Sequence, residues 1–217
     1  MIKRFKQVEG NYIEKIVGQE RFAYAHSDSS DFYDIVGWAE RGGYQGSVII
    51  FYDYETGNVY KPFDKKRNIL YSNPAYVNEE YYFLQGDFNK KKIILYRYYP
   101  EKILEKVTEL GTDEVNLYNL GIIGRQVHIV SQEDKFECYY PEKIFMPLKP
   151  NESVILIENG KIYIEAWIEE GWDNEKDCET DEYKYYNKII VKDYKGNILS
   201  EEIGTLNQAP DGTWWIS

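Results

Sequence analysis

Two stretches of this chain concentrate side chains able to bind or catalyse. The first, residues 26–46, reads "HSDSSDFYDIVGWAERGGYQG". Asp28, Asp31 and Asp34 recur at every third position, with His26 at the start and Trp38 beyond them. Several oxygens from one flexible loop are what calcium requires. The spacing is not that of an EF-hand, and no glycine takes the sixth position. Aspartate also favours turns for its own reasons, so a solvated loop without metal is the expectation. The second stretch, residues 171–186, reads "GWDNEKDCETDEYKYY". Here Asp173, Asp177 and Asp181 stand four apart, joined by Glu175, Glu179 and Glu182 and bordered by Trp172. A block of like charge repels itself and stays in water. The alternative reading is a landing patch for a basic partner, and Trp172 at its edge can stack on a sugar or anchor a protein.

Other chemistry is not signalled. The chain has no G-x-S-x-G elbow, no P-loop and no H-E-x-x-H. His128 lies inside "VHIV", where a packed strand histidine is expected; His26 is the histidine placed near a rim. Cys138 and Cys178 lie far apart with no C-x-x-C spacing, which signals neither a zinc site nor a disulfide framework. Cys138 falls in a strand and should be buried and inert, while the acidic surroundings of Cys178 should raise its thiol pKa. No cofactor is expected.

Charge narrows the partners. With 37 acidic and 26 basic residues the net charge is -11. That disfavours nucleic acid and anionic membranes, both of which attract positive charge. A basic protein or a glycan remains compatible. The opening "MIKRFKQVEG" has no apolar signal region, and no apolar run approaches the roughly 18 residues of a membrane span. A cytoplasmic location is the expectation.

The elements that must position these residues read as strands. The chain has 22 tyrosines, 9 phenylalanines and 5 tryptophans, alternating with Ile and Val, and only 2 methionines. That is strand composition, and no convincing helix is found. The best helical candidate, "PEKILEKVTELG", sits where a repeat demands a strand. The repeat begins with "FYDYETGNVYKPF" and recurs as "LYRYYPEKILEKV", "FECYYPEKIFMPL" and "VKDYKGNILSEEI". In each, an aromatic-rich strand meets a tight turn, and a β-branched residue opens the return strand. Anchored on Val59, Ile103, Ile144 and Ile198, the interval is about 40 to 55 residues. "QVEGNYIEKIVG" at 7–18 reads as a fifth copy. A second unit, a turn followed by an apolar strand, lies between: "GQERFAYA", "VNEEYYFL", "IGRQVHIV", "ENGKIYIE" and "APDGTWWIS". Each repeat is therefore four antiparallel strands.

Hairpins such as "YDYETGNVY" and "APDGTWWIS" resemble those of β-propeller proteins in general, without pointing to one family. The resemblance implies an all-β fold, residues 1–217 as one small β-propeller of five four-stranded blades, with four blades and a frayed terminus as the runner-up. The chain should begin with the third and fourth strands of a blade and end with its first and second, so that Thr213–Ser217 pairs near Ile2–Val8 and closes the ring. Both insertions should then share one rim. The function expected is non-enzymatic binding, an acidic rim bearing Asp28, Asp31, Asp34, Trp38, Trp172, Asp173, Asp177 and Asp181 that engages a protein or a glycan. The alternative is a glycoside hydrolase-like enzyme, since some five-bladed propellers are glycosidases. It needs two carboxyl groups roughly 5–10 Å apart. The expected innermost strands, "SNPAYV", "NLYNLG" and "SVILI", are poor in Asp and Glu.

Overall fold

A computed structural model describes residues 2–28 and 30–217. The chain is all-β, built from successive antiparallel meanders. Sheet one runs β1 (Glu14–Lys15), β2 (Phe22–His26), β3 (Ile49–Asp53) and β4 (Val59–Tyr60), in that order. Sheet two holds β5 (Ile69–Tyr71), β6 (Ala75–Val77), β7 (Glu80–Asp87), β8 (Lys92–Tyr99) and β9 (Ile103–Gly111). Both β5 and β6 pair with β7, end to end along one edge. They are halves of one strand, interrupted where Pro74 has no N–H to give the ladder. Sheet three is β10 (Gly121–Ile123), β11 (His128–Gln132), β12 (Lys135–Tyr140) and β13 (Ile144–Pro147). Sheet four is β14 (Glu152–Glu158), β15 (Lys161–Asp173), β16 (Cys178–Asp193) and β17 (Ile198–Ile203). A two-stranded sheet follows, β18 (Leu206–Gln208) and β19 (Trp214–Ile216).

The turn chemistry explains why these hairpins form. Asp53 closes the β3–β4 turn by accepting the N–H groups of Glu55 and Thr56 at 2.8 and 3.2 Å. Asp193 does the same for Lys195 and Asn197 before β17. Such side-chain-capped turns leave Gly57 and Gly196 to take the left-handed positions. The "PEKILEKVTELG" segment is strand β9, as the repeat requires: its pairing with β8 runs from Tyr99↔Ile103 to Lys92↔Gly111. Long-range pairing overrides a helical spacing.

Consecutive sheets bury their faces against one another. Ile16, Phe22, Phe51, Tyr81, Phe83 and Tyr98 form one core between sheets one and two. Its rings lie at centroid distances of 4.9–6.3 Å, mostly tilted or edge-to-face. This packing, rather than a ligand surface, accounts for much of the tyrosine content. Leu84, Leu95 and Ile129 lie in a second core between sheets two and three, and Phe136, Met146, Ile157 and Ile164 in a third between sheets three and four. Cys138 is buried in that third core, and burial pushes its thiol up to about 11, so it is inert at neutral pH. His128 is buried in β11, its Nδ1 2.9 Å from the Gln126 carbonyl, and burial lowers its pKa.

Three expectations are corrected. First, a helix, α1 (Phe32–Arg41), stands inside the 26–46 insertion. Phe32, Ile35 and Ala39 fall on one helical face and pack into the core between sheets two and three, which holds the segment helical. Second, Thr213–Ser217 does not pair with Ile2–Val8. β19 pairs with β18, and Thr205 and Ser217 exchange two backbone bonds at 2.9 and 3.2 Å. Third, residues 7–18 are not a third-to-fourth-strand hairpin. Only Glu14–Lys15 is strand, and it is the first strand of sheet one. The N-terminal segment instead covers the outer face of sheet one. Phe5 and Ile13 pack on Ala25, Val48, Ile50 and Tyr52, and Lys6 N–H reaches the Gly57 carbonyl at 2.9 Å. Covering that apolar face is a larger gain than extending a two-stranded edge.

A test follows. The Phe5 ring lies 5.0 Å from that of Tyr52 and 5.5 Å from that of Tyr54. Phe5→Ala should cost about 1–2 kcal/mol and expose the N-terminal segment to proteolysis before global unfolding. Unchanged limited proteolysis would show that this strap is not what covers sheet one.

Candidate functional site

The 171–186 insertion is not a loop. It prolongs β15 and β16 into a hairpin arm that extends beyond the rest of sheet four. The alternation of Trp167, Glu169 and Tyr183, Tyr185 with Ile168, Glu170 and Lys184, Tyr186 keeps the ladder going. Asp173 ends it, accepting the N–H groups of Glu175 and Lys176 at 3.0 and 3.1 Å, and Asp177 takes the turn's left-handed position. These two aspartates therefore serve the turn as well as the charge. Asp181 lies where the register slips, between the Glu170↔Lys184 and Trp172↔Glu179 pairs. Gly171 makes the slip possible. Its φ is +79°, and a Cβ there would stand 2.7 Å from the Glu182 backbone.

The arm's two faces differ. On one, Glu170 is neutralised: Lys184 Nζ lies 2.8 Å from it and the Tyr186 hydroxyl donates at 2.7 Å, which holds its carboxyl below the usual range. The opposite face carries a run of rings. Trp167 stacks on Tyr185 at 4.8 Å and 20°, Tyr185 meets Tyr183 at 6.3 Å, and Tyr183 meets Trp172 edge-on at 6.0 Å. Trp167 is 47 % and Tyr185 61 % exposed. The Tyr183 hydroxyl donates to Glu169 at 2.5 Å, which raises its pKa to about 12. Glu169, Glu175, Asp177, Glu179, Asp181 and Glu182 make no ion pair among the described residues, and Lys176 is 3.5 Å from Asp173. The arm is acidic, aromatic on one side and braced by its own ladder. Trp172 is legible in the sequence by its place beside the acidic block; Trp167, Tyr183 and Tyr185 are signalled there only by their alternation.

The first insertion builds something else. Asp31 is the N-cap of α1 and Asp34 lies in its first turn, where the helix dipole favours negative charge. Asp28 accepts the Tyr44 hydroxyl at 2.8 Å and the Ser30 hydroxyl at 3.1 Å. Asp31 and Asp34 thus mark the start of α1, while Asp28 lies before it. Trp38 packs at 5.9 Å on Tyr44 and remains 48 % exposed. Each tryptophan thus packs within its own segment, Trp38 on Tyr44 and Trp172 on Tyr183.

Two hollows accompany these elements. One, about 440 Å³, is lined by Glu14, His26, Asp28, Asp31, Ser72 and Asn73 among others. Glu14 accepts the Tyr24 hydroxyl at 3.0 Å. Burial lowers the His26 pKa, opposed by the Ser72 backbone and the Glu14 charge, so its imidazole is neutral at pH 7. The other, about 280 Å³, is lined by Lys15, Ala75, Ile122, Ile155, Gln208 and Trp214, from the first strands of all four large sheets and from the β18–β19 pair. Among the described residues, no carboxylate lines it. Comparison of the chain with protein-family models, with curated proteins and with solved structures gives no match.

Proposed function

We propose that this protein is a binding module, a small five-bladed β-propeller whose fourth blade extends an acidic arm to a basic protein partner. The propeller reading is supported by five recurrent hairpins between first and second strands, by the face-to-face stacking of consecutive sheets, and by the convergence of first strands on one hollow. The observation that carries the binding reading is the ring run Trp167–Tyr185–Tyr183–Trp172 on the arm. These rings stand outside the core on a paired two-stranded arm, with Trp167, Trp172 and Tyr185 exposed as interface anchors are. Lysine and arginine are drawn both to ring faces and to carboxylates, so the arm complements a cationic surface twice over. A sugar would need donors as well as acceptors around the ring, and the arm offers mostly acceptors. The hydrolase alternative is less well supported. Of the carboxylates at the larger hollow, Glu14 and Asp28 each accept a tyrosine hydroxyl and so serve the fold's own hydrogen bonding.

The test is capture of immobilised poly-lysine by the wild type, by Trp167→Ala/Tyr185→Ala and by a variant lacking residues 173–182. The substituted protein should melt within about 2 °C of wild type, because the rings are exposed, and bind about tenfold more weakly. Wild-type capture should weaken as salt rises. Equal capture by all three proteins would sink the arm as the binding element.

A further inference from the structure

The first four sheets each fill four strand positions, whereas the last sheet fills two. β19 pairs with β18 and, among the described residues, with no other strand. Its backbone shows which groups are left over. Thr205 and Ser217 exchange two hydrogen bonds, and the Ala209 N–H bonds the Thr213 carbonyl at 2.8 Å. Antiparallel pairs alternate, so Asn207 and Trp215 bond each other while Trp214 and Ile216 turn their N–H and C=O groups to the free edge. Native edges are usually blunted by lysine, proline, a bulge or an inward charge. The "TWWIS" of this edge has none of these. Trp215 is 64 % and Ile216 47 % exposed.

We propose that β19 is a receiving edge for an extended, lysine- or arginine-bearing segment of a basic partner protein, which adds to β18–β19 as a third strand. The inference rests on the basic-partner reading and gives it a recognition mode, strand addition. The small sheet lies on the same face of sheet four that carries the ring run. The Leu206 N–H donates to Glu165 at 3.0 Å, and a Cβ on Gly204 would meet both Ile216 and Ile189. Glu165, Trp167 and Glu169 share that face by their alternation along β15, and Tyr185 opposes Glu169. An added strand would run beside this acidic protein's sheet four face, and the net charge of -11 favours lysine or arginine in it. Charge also decides against a second copy as the occupant. Each copy carries -11, and the joined edges would bring two acidic faces together.

The probe is a short peptide of alternating lysine and valine, titrated by fluorescence anisotropy into the full protein. Its counterparts are the same peptide N-methylated at alternate residues and a glutamate–valine peptide. The lysine peptide should bind and should slow exchange of the Trp214 and Ile216 amides. N-methylation leaves charge and side chains unchanged but removes the donors, and should weaken binding at least about tenfold. Ile216→Pro removes one edge N–H without touching the β18 ladder and should weaken it similarly. The N-methylated peptide needs no variant, so misfolding of Ile216→Pro cannot mask the result. No binding of the lysine peptide, equal binding of its N-methylated form, or equal binding of the glutamate peptide would each overturn the proposal. If Trp167→Ala/Tyr185→Ala leaves the lysine peptide bound while N-methylation abolishes binding, the arm reading fails and the edge stands. The reverse pattern sinks the edge and keeps the arm.

Discussion

Gly46→Ala should be among the most damaging single substitutions in this protein, costing about 3 kcal/mol, or roughly 10 °C in melting temperature. Gly46 has φ +88°, a backbone region that disfavours any side chain. A Cβ there would stand only 1.9 Å from the Lys66 carbonyl oxygen, so backbone must move. The move matters because this is where the α1 insertion is stitched to sheet two. Tyr44 N–H reaches the Asn68 side-chain oxygen at 2.7 Å, Asn68 N–H returns to the Tyr44 carbonyl at 2.9 Å, and Ser47 N–H meets the Ile69 carbonyl at 2.8 Å. Thermal melting of the variant is the measurement. A shift of less than about 2 °C would show that the chain relaxes around residues 66–69 at little cost. By contrast, Gly10→Ala meets positive φ with nothing within 4 Å and should cost only about 1 kcal/mol, which separates clash from backbone strain.

Asp53→Ala should be comparably severe, about 3 kcal/mol, for an electrostatic reason. Asp53 is fully buried. One carboxylate oxygen takes the Arg21 guanidinium at 2.8 Å; the other caps the β3–β4 turn through Glu55 and Thr56. Burial alone would raise its pKa. The Arg21 hydrogen bond and the backbone donors outweigh burial and hold it below the usual carboxylate value. The sign of the pH dependence follows. Because the folded pKa is depressed, the ionised group contributes stability in full above its unfolded value of about 3.9, and that contribution is lost as pH falls through the lower folded value. Denaturant midpoints of wild type and Asp53→Asn should therefore differ at pH 7 and converge in acid. A difference that holds constant between pH 7 and pH 3 would mean that the carboxylate acts by shape alone.

What could be read from the amino acids was what is local. "ETGN", "KGN" and the two "PEK" turns each contain the backbone specification of a hairpin, and all four β-hairpins between third and fourth strands stand where their letters placed them. The second unit, a turn and an apolar strand, likewise appears in every sheet, down to "APDGTWWIS" in β19. Clustering of Asp173, Asp177 and Asp181 marked the arm, because acidity is a property of composition. Asp28, Asp31 and Asp34 did not reveal the helix, since every-third-residue aspartate reads alike in a solvated loop and around a helix start. Only burial of Phe32 and Ile35 against Leu84 and Leu95 distinguishes the two.

Tertiary structure decided the rest. The segment 7–18 carries the same Gly-Asn pattern as 193–204, yet the one stays largely outside any strand while the other is a hairpin. The difference is what each can bury: Ile13 and Phe5 find the open face of sheet one, while β17 finds β16. Likewise, whether Trp167 and Tyr185 fill a core or face water depends on whether a neighbouring layer reaches them, and β18–β19 stops short. Turns are specified over a few residues by dihedral preference, so a sequence states them outright. Which surfaces meet depends on pairings between residues far apart, whose relative gains no local pattern encodes.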